Sequence, residues 1–368
     1  MDNLSDYIQW MGDYPFSATG FREADALILC VISYFDLAPV FEKRSGVHRV
    51  KDCADMLAEG RARLMITGKD LGYRQILELA AASRRFGQLR MTNYVDRSRS
   101  QPPLQFSAVC FHDEADLSFL AYRGTDNSLA GWKEDFMISF CRTEAQEMAL
   151  RYARTQLKPG RRWLLGGHSK GGNLALYTAC LLEEALWQRV ERVYLLDGPG
   201  LCPEVMDLGC MARIDARTTR IIPGFSVVGK LFEPQITDTR IVRSSAKGLM
   251  QHSLATWGID HGDLALLDRG EPAGQLINAA VNDWIADISQ EDRVIFTDEL
   301  FAALAAGGAR NLDQLDDEGP AGLEAVLRRL EKSSAVTRKT LGDLPRQMVK
   351  HRIPVAVRKR LEKITEKE

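Results

Sequence analysis

Residues 161–180 read Arg-Arg-Trp-Leu-Leu-Gly-Gly-His-Ser-Lys-Gly-Gly-Asn-Leu-Ala-Leu-Tyr-Thr-Ala-Cys. The apolar run Trp163-Leu164-Leu165 predicts a strand, and Leu174, Ala175, Leu176, Ala179 and Leu182 predict a helix behind it. Between them, Gly167-His168-Ser169-Lys170-Gly171 leaves room only for a very tight turn with Ser169 at its apex. Such a turn strains the serine backbone, and glycines on either side, Gly167 and Gly171, allow close passage of the chain. The hydroxyl is then pushed above the sheet edge, facing the N–H groups that open the next helix. A bare G-x-S-x-G also describes a glycine-rich turn with an N-capping serine, so the flanking strand and helix carry the assignment. Ser169 is the expected nucleophile.

Working outward, the period of the sequence changes twice. Residues 1–87 read as helical, with Ala26 to Ile32 as a buried helix, further helices near 50–60 and 73–86, and Trp10, Phe16 and Tyr73 as core aromatics. From 88 the pattern alternates: strands are expected at 89–95, 104–111 and 117–122, the last two joined through the acidic turn at 112–116. A helix at 143–157, the strand at 162–166, a helix at 172–187 and a strand at 190–196 follow, with later strands at 220–223 and 239–242. Strand–helix alternation of this kind calls for a mostly parallel sheet flanked by helices. The expected fold is α/β, α/β-hydrolase-like, with a helical part at 1–87, a core at 88–269 and a helical extension at 270–368. In that extension Leu323, Val326, Leu327 and Leu330 keep helical spacing, and acidic 313–320 reads as a connection.

Composition sets limits. The 368 residues are 45% hydrophobic and 27% charged with a net charge of −2, so no global charge draws the chain to nucleic acid. Seven cysteines without a C-x-x-C pair predict neither a disulfide framework nor a zinc site. The chain opens without a basic, apolar secretory signal, and its longest apolar run, Ala26 to Phe35, is too short for a bilayer. A cytoplasmic protein is expected. From residue 334 ten Lys/Arg face four Asp/Glu. That tail reads first as a solvated helix face or frayed end, and second as a peripheral membrane or partner contact.

A serine nucleophile needs a base, and histidine is the usual one near neutral pH. In this fold the chain order is Ser, acid, His. His252, His261 and His351 follow Ser169. His252 sits in a loop after a late strand, where the base belongs, while His261 looks like a turn residue and His351 lies in the tail. His168 is expected to support the elbow. For the acid, Asp197 ends the strand after the elbow helix, at the carboxyl edge of the sheet; Asp238 is the reserve. The oxyanion donors are expected at the Lys170 N–H and at Thr125, by its N–H and hydroxyl, in the Tyr122-Arg123-Gly124-Thr125 segment. No cofactor or metal is implied. Residues 200–217 are a candidate cap, though a surface helix would use the same residues.

Ala121 to Thr125 with Trp132 to Phe136, Gly167 to Gly172, and His252-Ser253 followed by Trp257 resemble the oxyanion, nucleophile and histidine segments of fungal-type class 3 lipases. Asp6-Tyr7 to Asp25, Leu196 to Gly200 and Gln251-His252 resemble an uncharacterised bacterial family of lipase-like α/β hydrolases, a domain of unknown function. The first resemblance covers roughly 100–260 and the second most of 1–260. They imply a serine hydrolase acting on a lipid or short acyl ester through an acyl-enzyme, with Ser169, His252 and Thr125 in their roles. One departure stands out. Class 3 lipases carry their acid in the segment matching Ile222 to Val228, where this chain has Ser226. Asp197 instead is similar to the acid of pancreatic-type lipases, moved to the earlier strand; the site is then a Ser169, Asp197, His252 triad with a moved acid, or else a weakened dyad. The alternative is a hydrolase-fold interaction protein that has lost its chemistry and works through its helical ends.

Overall fold

A computed structural model describes residues 2–306 and 329–350, apart from 43–46, 62, 67–69, 71, 101, 127–128, 139–140, 202–207 and 331. Eight strands form the main sheet: β1 (Arg90–Arg99), β2 (Leu104–His112), β3 (Leu117–Tyr122), β4 (Arg162–His168), β5 (Val190–Leu196), β6 (Thr218–Pro223), β7 (Thr239–Val242) and β10 (Leu266–Leu267). A separate two-stranded piece holds β8 (Ile259–Asp260) and β9 (Asp263–Leu264). In space the main strands follow chain order, β1-β2-β3-β4-β5-β6-β7-β10. Strands β3 to β7 are parallel to one another, and antiparallel pairs close both ends. This is the α/β-hydrolase-like architecture the alternation calls for.

Sequential order has a physical consequence. Right-handed crossovers that step always in one direction put their helices on one face of the sheet. Helices Glu144–Gln156, Lys170–Leu181 and Leu208–Asp215 accordingly share a core with Leu120, Tyr122, Leu165, Val193 and Leu195. The alternate residues Phe119, Ala121, Leu164, Tyr194 and Leu196 face the other way, into a core shared with the N-terminal helices. Helix Glu23–Ser33 is the centre of that second layer, with Ala24 to Ser33 buried all round. A helix apolar on every side must be covered on every side, and the first 87 residues serve that need. Asp25, the one charge in its buried span, receives the Arg85 guanidinium on both oxygens and the Tyr7 hydroxyl at 2.9 Å. Arg85 also donates to the Tyr14 and Gly20 carbonyls and to Thr19, so the buried pair is fully hydrogen-bonded.

Several expectations need correction. Trp10 is 46% exposed, because the buried face of its helix is carried by Leu4, Tyr7 and Ile8. The helix expected at 172–187 stops at Leu181, Leu182 turns extended, and a short helix restarts at Glu184. Cys180 and Cys210 are disulfide-bonded, joining the elbow helix to helix Leu208–Asp215. The cysteine spacing carried no sign of this bridge. No helix among the described residues is long and apolar enough to cross a membrane. Leu323, Val326 and Leu327, the connection at 313–320 and the tail from 351 lie outside the described residues.

His112 at the end of β2 gives a pH test of this packing. Its ring bonds the Thr92 and Ser118 hydroxyls, and burial, aided by Arg161 and Arg90, pushes its pKa down to about 4. The unfolded chain takes up that proton near pH 6.5 and the folded chain only near 4. Stability from this group is therefore full above pH 6.5 and falls by about 3 kcal/mol as the pH drops through that window. Urea unfolding at pH 7 and pH 4.5 should show a smaller acid loss in His112→Gln than in the parent. Equal losses would contradict the assignment.

Candidate active site

Strand β4 delivers the chain to Ser169, whose φ of 58° and ψ of −127° lie outside the ordinary wells for a side-chain-bearing residue. Two glycines make the turn possible. A Cβ on Gly167 would lie 2.2 Å from the Gly171 carbonyl carbon, and one on Gly171 would lie 2.2 Å from the Tyr122 carbonyl oxygen. The elbow is thus pressed against the end of β3, which carries the Arg123-Gly124-Thr125 loop. Ser169 is half-buried and opens into a cavity of about 450 Å³ also lined by His252, Thr125 and Lys170.

His252 ends a short 3-10 turn, Gly248–His252, beyond β7. Its Nδ1 lies 2.6 Å from Asp197 Oδ2. An ionised carboxylate only accepts, so this bond puts the proton on Nδ1 and leaves Nε2 as a base on the opposite side of the ring. Asp197 is fully buried directly after β5, with a φ of 44°. Its other oxygen, Oδ1, accepts the Ser226 hydroxyl at 2.5 Å. Ser226 therefore occupies the place where an acid was looked for and holds the carboxylate that stands there from another strand. Asp238 is engaged elsewhere, with the Thr219 hydroxyl and Arg240 Nε each at 2.8 Å, and does not line the cavity. His261 is exposed and pairs with its neighbour Asp260, and His351 lies outside the described residues. Among the described residues the Ser169 hydroxyl makes no hydrogen bond, and contacts of this kind commonly tighten only when substrate binds.

Two further residues hold these three in place: His168, expected to support the elbow, and Asn173, which the motif did not mark. His168 Nε2 donates to the His252 backbone carbonyl at 2.8 Å, while its Nδ1 accepts the Tyr34 hydroxyl at 2.8 Å. Burial, reinforced by the neighbouring His252, keeps the His168 pKa well below the usual range, so the ring stays neutral. Asn173, in the first turns of the elbow helix, donates to the Gly200 carbonyl at 2.7 Å and accepts from Gln146. It ties the loop after Asp197 to the elbow. The one sequence signal for it was a polar residue after Gly171-Gly172 on an otherwise apolar helix.

The oxyanion side departs in detail from expectation. The Thr125 hydroxyl is engaged as a donor to Asp135, which lines the cavity beside it. Neither the Thr125 nor the Lys170 N–H is taken by a backbone carbonyl among the described residues, so both are available as donors. The Lys170 side chain turns inward, with Nζ 2.5 Å from Gln105 Oε1, 3.2 Å from Glu134 Oε2 and 3.7 Å from Asp135 Oδ1. Burial pushes the Asp135 carboxyl up to about 6 against the pull of Lys170. Lys170 thus fastens the start of the elbow helix to helix Leu129–Ile138, whose Trp132 and Phe136 side chains lie outside the described set.

Of the two readings of 200–217, the described part follows the surface helix rather than the cap. Helix Leu208–Asp215 buries Cys210, Met211 and Ile214 against the elbow helix, and none of its residues lines the cavity. Residues 202–207 are outside the described set. The cover comes from helices Pro272–Ala286 and Gln290–Ala306, which present Val281, Trp284, Ile285 and Phe296 to the cavity. Among the described residues no group of three or more His, Cys, Asp or Glu side chains is arranged to hold a metal ion.

Ser226→Ala probes the carboxylate's support. Losing one hydrogen bond to a charged group, worth about 1.5 kcal/mol, should lower the kcat/KM of any ester hydrolysis roughly tenfold. An unchanged value would remove Ser226 from the site's machinery.

Comparison with known proteins adds three findings. The family model described as Mbeg1-like matches residues 80–302. No curated protein matches the chain. A solved structure titled "Crystal structure of M37 lipase" is similar over 57% of this chain and 70% of that one, at 14% identity and a TM-score of 0.33, a likeness too slight to argue from.

Proposed function

The chain belongs to the Mbeg1-like family, and from that footing we propose that it is a serine hydrolase of the lipase/esterase type, cleaving a carboxylic ester through an acyl-enzyme on Ser169. The observation that carries this reading is the 2.6 Å hydrogen bond between buried Asp197 and His252, which lines the same cavity as the elbow serine. His252 Nε2 would take the Ser169 proton as the hydroxyl attacks the ester carbonyl, and return it to the departing alcohol. Asp197 would hold the ring in the needed tautomer and balance its transient charge. The Lys170 and Thr125 N–H groups would receive the oxyanion. Water, activated by the same histidine, would then hydrolyse the acyl-enzyme, releasing the acid and restoring the Ser169 hydroxyl in the second half of the cycle. A kinship with class 3 lipases is part of this reading, supported by the Ala121–Thr125 segment with Trp132 to Phe136, the Gly167–Gly172 segment, and His252-Ser253 followed by Trp257.

Apolar side chains dominate the cavity wall, Leu231, Leu249, Met250, Ile285 and Phe296 among them. An acyl or alkyl chain suits such a lining better than a peptide does. A panel of p-nitrophenyl esters from two to twelve acyl carbons tests the reading. Saturable hydrolysis favouring chains of intermediate length is expected, and no turnover of any ester would sink it.

A further inference from the structure

Arg293, in helix Gln290–Ala306, stands in the wall of the same cavity. Its Nε–H donates to the Ile288 carbonyl at 2.8 Å, and among the described residues no carboxylate lies within ion-pair distance of its guanidinium. The other charged or titratable side chains of that wall are answered. Lys170 has Gln105, Glu134 and Asp135; His252 has Asp197; His168 has Tyr34 and a backbone carbonyl. Around Arg293 the same helical cover contributes Val281, Trp284, Ile285, Ile288 and Phe296.

A half-buried cation set among apolar side chains gives up part of its hydration, and only a counter-charge restores the lost interaction. With Nε held by a carbonyl, the two terminal nitrogens keep a planar fork of N–H donors, matched to an oxyanion such as phosphate or carboxylate. Nothing in the chain supplies that oxyanion among the described residues, and the cavity is where a ligand would bring it.

Resting on the serine hydrolase reading for the site's purpose, we propose that Arg293 is a specificity-determining residue that binds an oxyanionic group on an otherwise apolar ester. The substrate class is then an anionic amphiphile: its chain lies along the cover helices and its charged group reaches Arg293. The alternative use of the same side chain is to cap the Ile288 carbonyl, which would leave ligand charge irrelevant.

Binding separates the two without needing turnover. Full-length Ser169→Ala protein is titrated at pH 8 with decyl phosphate, decanoate and decanol. At least one anionic ligand should bind about tenfold or more tighter than decanol. Arg293→Gln should erase that advantage while leaving decanol within about twofold, and Arg293→Lys should keep part of it. The head group with the larger Arg293-dependent ratio names the oxyanion. Equal binding of all three ligands, equal weakening of all three in Arg293→Gln, or no binding of any would overturn the proposal. Failure of the wild type to hydrolyse esters would sink the hydrolase reading alone, because the binding ratios would still stand.

Discussion

Ser169→Ala is expected to lower ester hydrolysis by at least about a thousandfold, with the folded state intact. The methyl group of alanine fits where the hydroxymethyl was, and the backbone geometry belongs to the turn rather than to the hydroxyl. No hydrogen bond of the serine side chain is lost among the described residues, so the melting temperature should hold to within a few degrees. What disappears is the atom that forms the acyl-enzyme. The Lys170 and Thr125 N–H groups would still polarise a bound ester, and any residual rate measures their share. Parallel assays of hydrolysis and thermal unfolding check both halves. A variant that keeps wild-type turnover would place the chemistry elsewhere.

Asp197→Asn should be comparably damaging, by roughly ten-thousandfold, on the scale known for such a change in a Ser-His-Asp site. An amide at this position can offer its NH2 to the ring. His252 would then accept at Nδ1 and carry its proton on Nε2, where it cannot act as a base towards Ser169. Ser226 donates to the other oxygen of Asp197 and cannot replace the lost charge. The asparagine also keeps the volume of a fully buried side chain, so folding is affected less than by a truncation. Turnover by the purified variant is the check. A loss of less than about tenfold would show that His252 does not depend on this carboxylate.

How much of this could be read from the residues alone depends on how local each feature is. The elbow is written in twenty consecutive residues, and strand β5 with Asp197 at its end follows from the next apolar run; both stand where the periodicity puts them. His252 was reached through chain order and loop position. Asp197 as its partner needed two segments 55 residues apart to meet, which no periodicity specifies. Ser226 was harder still: at its position a serine looked like a missing acid, and only the hydrogen bond to Asp197 gives it a task. Cap and surface helix are indistinguishable at 208–215, because the same apolar residues serve either; only packing shows the buried side chains turned toward the elbow helix. The cover helices beyond 270 carried no motif. Their role exists only because Trp284 and Phe296 are brought over the cavity by folding. Sequential strand order and the Cys180–Cys210 bridge were equally invisible, since both are properties of elements meeting in space.

The central claim is that Ser169 is an activated nucleophile. The most direct measurement is to treat the full-length protein with a fluorophosphonate, digest it, and locate the adduct by mass spectrometry. The account predicts one stoichiometric adduct on the peptide containing Ser169, formed far more slowly in His252→Ala. Absence of an adduct on a folded protein, or an adduct on another serine, would contradict it.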